Sequence, residues 1–313
     1  MTVKTNTHPF RYDHVGSLLR SANLVEARTQ YKAGTITYDE LTNVENEEII
    51  RLIEKQKENG VLSITDGEFR RSWWHFDVLG EGKGYKIEFL NKGDKRILNF
   101  HMDNFMDNKP IDGSITLYND PQESMVIVTP YKESKVHFYY NQKINCMPAE
   151  GKVNFDGKEY VFEKNNSCGV LDWGRGVWTY KNTWYWGSGS GRVDGHLFGF
   201  NIGYGFGDTS AASENMLFYD GKAHKLSQVK FNIPMKNGTE DYLSPWTFTS
   251  DDGRFEMDFV PVMDRASNTD FVVLGSDQHQ VFGKFTGSAI LDDGTKIQIK
   301  DFMGFAEKVS NKW

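Results

Sequence analysis

Apolar positions keep a helical beat over the first sixty residues and a strand beat beyond about residue 84. Leu41, Val44, Ile49, Leu52 and Ile53 recur at the spacing of one helix face. Thr37 and Glu40 stand at the head of this run, at the spacing of a capping box in which hydroxyl and carboxylate accept otherwise unsatisfied amides. Gly60 follows as a C-terminal cap. The pattern predicts a helix over 38–59 and a shorter one near Asn23–Tyr31. Val61–Thr65 is short and apolar, like a fully buried strand, and ends in Asp66-Gly67-Glu68. Tyr12–Ser17 reads as another strand end. Strand, helices and strand open an α/β pattern, in which polar groups at strand C-termini face a site.

Beyond residue 84 the punctuation changes. Asp-Gly occurs at 112–113, 156–157, 194–195, 220–221, 252–253 and 293–294, in several cases between alternating runs such as "KVNFDGKEYVFE" and "GRVDGHLFGF". Asp-Gly favours the type I′ turn, whose twist matches paired antiparallel strands. No stretch after residue 90 carries a long amphipathic helix. The fold class expected is mainly β: antiparallel strands in a barrel or a pair of curved sheets, closed because open edges are costly, preceded by a short α/β segment.

Composition narrows the partners. A net charge of -7 leaves little basic surface for phosphate, so no nucleic acid is expected. Aromatics make up 14% of the chain, enough for a substantial core. The N-terminus has no apolar leader, and no apolar run reaches the ~18–20 residues that span a bilayer. With two cysteines, Cys146 and Cys168, there is no disulfide framework. The expectation is a cytoplasmic protein without a transmembrane segment.

Candidate chemistry concentrates in "GVLDWGRGVWTYKNTWYWGSGSG", residues 169–191. Alternation places Trp178 with Tyr180, and Trp184 with Trp186, on common faces. These rings read either as core or as the lining of an apolar pocket. Asp172 and Arg175 read as an ion pair or as the polar end of that pocket. Gly203, Gly205 and Gly207 lack the Gly-Lys-Ser/Thr and the following helix of a phosphate loop. They mark a bend or a close strand approach instead, and no cofactor is expected. Asp208, Ser213, Glu214 and Asn215 gather polar groups beside that bend, as a site or as a solvated loop, with His196 opening the same hairpin. The reading offers Asp172, Asp208 and Glu214 as candidate acids. Arg175, Trp178, Trp184, Trp186, His196, Tyr204 and Asn215 are candidate ligand contacts around one cavity.

Two resemblances add to this. "FRYDHVGSLLR" and "ITDGEFRRSWWHFD" resemble the N-terminal part of the cobalamin-independent methionine synthase family. The resemblance implies that residues 1–83 are a fragment of a (β/α)8 barrel, with Gly16-Ser17 and Glu68 touching the amino acid portion of homocysteine. That family's zinc ligands, a His, two Cys and a Glu, lie far downstream. Cys146 and Cys168 have no Cys-x-x-Cys or His-x-Cys spacing, and no metal site is expected. Residues 84–313 resemble the domain of unknown function 2804 family, through "FYYNQKINCMPAEG", "FGFNIGYGFGDTSAASENMLFYDGKAHKL" and "SDQHQVFGKFTG" among others. "LDWGRG" and "WYWGS" are distantly similar to the carotenoid hydratase and tocopherol cyclase group. That likeness implies a calycin-like build, terpenoid-like ligands and redox-neutral acid chemistry. Two pieces then meet near Gly80–Tyr85 through a flexible "GEGKG" linker.

The function expected is binding of a small apolar or aromatic molecule, with acid catalysis on it as the enzymatic version. Three alternatives stand beside it: a homocysteine methyltransferase-like protein lacking its zinc ligands, a glycan-binding or glycosidase barrel with Asp172 and Glu214 as its carboxylates, and a fused reading frame without a joint function.

Overall fold

The structure, a computed structural model, describes residues 19–60, 78–118, 123–270 and 274–312. They form two compact units, one made of residues up to Lys92 with Ile97–Asp112, the other of Gly93–Arg96 and everything from Gly113 onward. Among the described residues no helix is long and apolar enough to cross a membrane.

The first unit holds the helices Ala22–Lys32 and Tyr38–Glu58. The second helix starts on the expected capping box: Thr37 Oγ1 accepts from the Glu40 amide at 3.2 Å, and Glu40 Oε2 accepts from the Thr37 amide at 2.7 Å. It ends at Asn59 with Gly60 at φ +72°. Arg28 reaches from the first helix to Glu45 on the second at 3.0 Å. The segment read as a flexible linker is itself paired. Val78–Gly82 and Tyr85–Asn91 form a hairpin in which Gly80 lies opposite Ile87 and Gly82 opposite Tyr85. The linker reading took glycine content as flexibility, but Gly84, at φ +80°, supplies a tight turn. Tyr12–Ser17 and Val61–Thr65, read as strands, lie outside the described residues.

The second unit holds two curved antiparallel sheets and a two-stranded ribbon, Met235–Lys236 with Thr239–Glu240. In the first, the long strand Ser134–Phe155 pairs with Met125–Tyr131, Lys158–Phe162 and Cys168–Val177. Its ladder slips at Asn145–Cys146, where Cys146 takes φ +60°. The second sheet has nine strands, running in order from Lys222–Lys225 through Met216–Tyr219, His196–Tyr204, Lys181–Val193, Lys296–Lys312, Gly275–Ile290, Phe255–Asp270 and Trp246–Ser250 to Val229–Asn232. It curls around a core of Phe198, Phe200, Trp246, Phe248, Phe259 and Phe285, all at most 1% exposed.

Three of the six Asp-Gly pairs beyond residue 84 are type I′ turns with positive φ at both residues: Asp156-Gly157, Asp194-Gly195 and Asp220-Gly221. At 252–253 and 293–294 only the glycine is left-handed. Asp112-Gly113 lies inside the strand Lys109–Tyr118, and the turn before it is Asp107-Asn108, with φ of 53° and 57°.

The strands Lys181–Val193 and His196–Tyr204 separate two environments by their alternation. Phe198, Phe200, Ile202 and Tyr204 face the curled core, opposite Gly191, Gly189, Gly187 and Tyr185. The other face carries Trp184, Trp186, Ser188, Ser190 and Asn201. Asn145 of the first sheet docks there, its amide donating to Ser188 Oγ at 2.8 Å and to the Phe200 carbonyl at 3.0 Å. A polar sheet face covered by a second sheet is a place where side chains can be buried without being apolar.

Candidate functional site

Between these faces lies a cavity of about 250 Å3, lined by Tyr139, Asn141, Lys143, Asp172, Gly174, Trp178, Trp184, Trp186, Phe206, Glu214 and Glu307. The period of two explains most of this list. Tyr139, Asn141 and Lys143 alternate along one strand, and Trp184 and Trp186 along another. Asp172 and Gly174 lie directly opposite Lys143 and Asn141, and Glu307 lies opposite Trp186.

Lys143 is the cation among these residues. Its side chain is 4% exposed; its ammonium lies 2.5 Å from Asp172 and 3.8 Å from the centre of the Trp186 ring. Asp172, 37% exposed, is the wetter partner. Glu214 is held from two sides: Oε2 accepts from Asn141 Nδ2 at 3.2 Å and from Asn201 Nδ2 at 3.3 Å. Asn201 is fixed in turn, its Oδ1 accepting from Trp186 Nε1 at 2.8 Å. Glu307 accepts from Trp184 Nε1 at 3.0 Å and from Gln280 Nε2 at 2.9 Å. Asn141 is 2% exposed, and its Oδ1 has no hydrogen-bond partner among the described residues.

Burial pushes the carboxyls of Glu214 and Glu307 above the usual carboxylate range, against the opposing pull of Lys143 and of their hydrogen bonds. Asp172 raises both further, so the four groups form one electrostatic cluster. Burial, with Asp172 and Glu214, raises the Tyr139 phenol. Three carboxyls share the Lys143 ammonium, with Lys225 a weaker counter-charge on Glu214, and carry a surplus of negative charge in a poorly solvated space. The least costly relief is to keep a proton on one of them.

Two glycines make the room. A Cβ on Gly203 would stand 2.5 Å from Glu214 Oε1, and one on Gly174 would stand 2.5 Å from the Tyr139 ring. The glycine-rich strand therefore marks a close approach, as its spacing suggests, and here what approaches is a carboxylate.

The structure brings Asp172, Glu214, Trp178, Trp184 and Trp186 to one cavity. It does not bring the other candidates there. Arg175 lies opposite Tyr140, its guanidinium 6.0 Å from that ring, on the far face of the first sheet. Residues three apart on a strand point oppositely, which rules out an Asp172–Arg175 pair. Asp208 sits in a neighbouring cleft, where the Ser210 hydroxyl and amide hold its carboxyl below the usual range. Tyr204 faces the curled core, stacked 4.6 Å from Tyr185. Asn215 is fully buried, with Oδ1 accepting from the Gly203 amide at 2.7 Å and Nδ2 donating to the Ser227 carbonyl at 2.8 Å. Those bonds brace the bend; they leave it no ligand role. His196 is at the turn end of its hairpin, paired with Asp220 at 2.7 Å. Trp178 and Tyr180 share no strand face, because the strand ends at Val177; Tyr180 is half exposed. Ser17 and Glu68 lie outside the described residues.

Sequence reasoning missed Lys143, Glu307, Asn141, Tyr139 and Phe206. A signal existed for three of them. Asn141, Lys143 and Asn145 are polar at alternate positions after the aromatic run Phe138–Tyr140, and Glu307 ends the apolar run Phe302–Ala306. Cys146 packs between the sheets, where burial pushes its thiol up to about 12, and burial raises Cys168 as well. Among the described residues no group of three or more His, Cys, Asp or Glu is placed to hold a metal ion.

Comparison with known proteins adds short and distant likenesses. The chain is 58% identical over 78 residues to the uncharacterized protein YxjH of Bacillus subtilis (strain 168), covering 25% of this chain and 21% of that one. It is 61% identical over 71 residues to the uncharacterized protein YxjG of the same organism, covering 23% and 19%. The chain thus spans about a fifth of the length of these curated relatives. Among solved structures it is similar to the AttH candidate NE1406 of Nitrosomonas europaea, at a TM-score of 0.42 and 13% identity, covering 75% of this chain and 70% of that one. It is also similar to kievitone hydratase from Nectria haematococca, at 0.34 and 10%, covering 73% and 85%. Likenesses this distant bear on neither ligand nor chemistry. Neither comparison shows the methionine synthase resemblance. One family model matches most of the chain, residues 52–313, so the chain belongs to the family described as Domain of unknown function (DUF2804).

Proposed function

We propose that this chain binds a small apolar or aromatic molecule, terpenoid-like in character, in the cavity between its two sheets, and acts on it by redox-neutral proton transfer. The observation that carries the proposal is the pairing of aromatic walls with surplus acid. Trp178, Trp184, Trp186, Tyr139 and Phe206 surround three carboxyls and one ammonium. At about 250 Å3 the cavity lies just below the ~300–1,000 Å3 of drug-sized pockets, which favours a compact ligand over a long polyene.

Glu214 is the proton donor in this reading. Burial keeps its proton on at pH values where an ordinary carboxyl has lost it. Its conjugate base is stabilised by the amides of Asn141 and Asn201 and by the charge of Lys143. Protonation of a carbon–carbon double bond leaves a cation on the ligand. Lys143 already covers one face of Trp186, so the other rings meet that cation. Addition of water, or loss of a neighbouring proton, completes the reaction and returns a proton to Glu214. For residues 1–83 the methyl-transfer reading rests on motif resemblance alone, and the raised thiols of Cys146 and Cys168 work against the thiolates that zinc requires.

The test pairs binding with turnover. Purified protein is incubated with a panel of monoterpene and styrene-type alkenes, followed by native mass spectrometry and product analysis. The expected result is a one-to-one adduct with at least one alkene and a hydrated or isomerised product. Glu214→Gln should retain the adduct and lose roughly 10²–10⁴-fold in turnover, the usual contribution of a positioned acid. Absence of any adduct with the wild type would count against the reading.

A further inference from the structure

One ring of the cavity wall stands beside a second, larger cleft. Phe206 lines the cavity, while its chain neighbours Gly205 and Gly207 line a separate cleft of about 730 Å3 together with Tyr131, Lys132, Thr179 and Tyr204. Phe206 is itself partly exposed. Its ring lies 4.7 Å from Tyr139, 5.1 Å from Trp184, 5.8 Å from Trp178 and 5.8 Å from Tyr131. The first three rings belong to the cavity, and Tyr131 belongs to the cleft. Trp178 and Thr179, consecutive in the chain, likewise divide between the two spaces.

The backbone beneath Phe206 is pinned. Gly205 and Gly207 are left-handed, at φ +96° and +87°. A Cβ on Gly205 would stand 2.5 Å from the Thr183 carbonyl oxygen, and one on Gly207 would stand 2.6 Å from the Thr129 methyl group and 2.9 Å from the Pro130 carbonyl oxygen. The next amide, Asp208 N, donates to Pro130 O at 2.7 Å. Two left-handed residues that fit only as glycine thus hold the ring against both sheets, as a fixed wall.

We infer that Phe206 is the specificity-determining partition of the site: it sets the greatest ligand length by separating the acid-bearing cavity from the larger cleft. This rests on the cavity being the binding site, as proposed above. Removing the ring joins the two spaces, and a longer apolar chain can then lie across the former wall. The cleft side also offers polar ends for such a chain, in Lys132 and Asp208.

A homologous series of straight-chain primary alcohols, from n-butanol to n-dodecanol, tests this through quenching of the cavity tryptophans. Each methylene that finds apolar burial tightens binding by about fourfold. For the wild type, affinity should climb with length and then level off where the cavity is full. In Phe206→Ala the climb should continue for several further methylenes. Phe206→Leu, which retains most of the apolar volume, should level off in between and guards against a folding defect in the alanine variant. Coincident plateaus in wild type and both variants would overturn the partition while leaving the binding site intact. A wild-type series with no length dependence at all would overturn both.

Discussion

Replacing Lys143 by Met should destabilise the second unit more than almost any other single substitution at the site. The ammonium is buried, and it serves as counter-charge for Asp172, Glu214 and Glu307 together. Removing one member of a buried ion pair leaves the other uncompensated, typically at a cost of about 3–5 kcal/mol. The partial exposure of Asp172 places the expected loss near the lower end, about 3 kcal/mol. The loss should also depend on pH. Without Lys143, Glu214 and Glu307 lose the charge that pulls their carboxyls down, so both rise further above their unfolded values. A carboxyl raised in the folded state binds more protons folded than unfolded. Stability is therefore full below the unfolded value near ~4.3 and is lost as pH rises through the folded one. Urea denaturation should show the Lys143→Met deficit largest at neutral pH and shrinking on acidification. A deficit independent of pH would mean that Lys143 contributes packing alone.

Phe285→Ala should cost more, and for a purely apolar reason. Phe285 is fully buried, with ring centres 4.5 Å from Phe259, 4.9 Å from Phe200 and 5.2 Å from Phe248. Truncating a buried Phe removes its transfer free energy and leaves a cavity, for a total of about 3–5 kcal/mol. Rings held from several strands of one curled sheet collapse poorly onto the gap, which argues for the upper half of that range. Thermal or urea unfolding should show the loss unchanged between acid and neutral pH. This separates it from the Lys143 effect. Val128→Ala, at a residue 58% exposed on the first sheet, should cost less than about 0.5 kcal/mol.

What the sequence showed and what it hid divide by the range of the interaction. The helix Tyr38–Glu58 was legible because its box, its apolar face and its glycine stop lie within one short window. Turns at Asp156-Gly157, Asp194-Gly195 and Asp220-Gly221 were legible for the same reason. Asp112-Gly113 misleads because turn propensity is local, while a register that continues through the pair is set by partner strands elsewhere. The aromatic half of the site was visible, since Trp184 and Trp186 share a face by alternation alone. Its charged half was not. Glu307 meets Trp184 across 123 positions of chain, and nothing near either residue announces the other. Arg175 was a different kind of miss: strand periodicity already sets it against Asp172. His196 was placed with the acids because its hairpin leads to them, but a hairpin's turn lies at the opposite end from its mouth. Glycine was read well where it meant close approach, at Gly203, and poorly where it was taken for a linker, at Gly80–Gly84.

The proposed chemistry requires a carboxyl in the aromatic cavity that keeps its proton where an ordinary one has lost it. NMR titration of the glutamate side-chain carboxyls, with Glu214→Gln and Glu307→Gln used to assign the two resonances, measures this directly. At least one of the two should titrate above the usual ~4.3 for glutamate, and more so in Lys143→Met. Both titrating at the ordinary value, with no response to Lys143, would contradict the account.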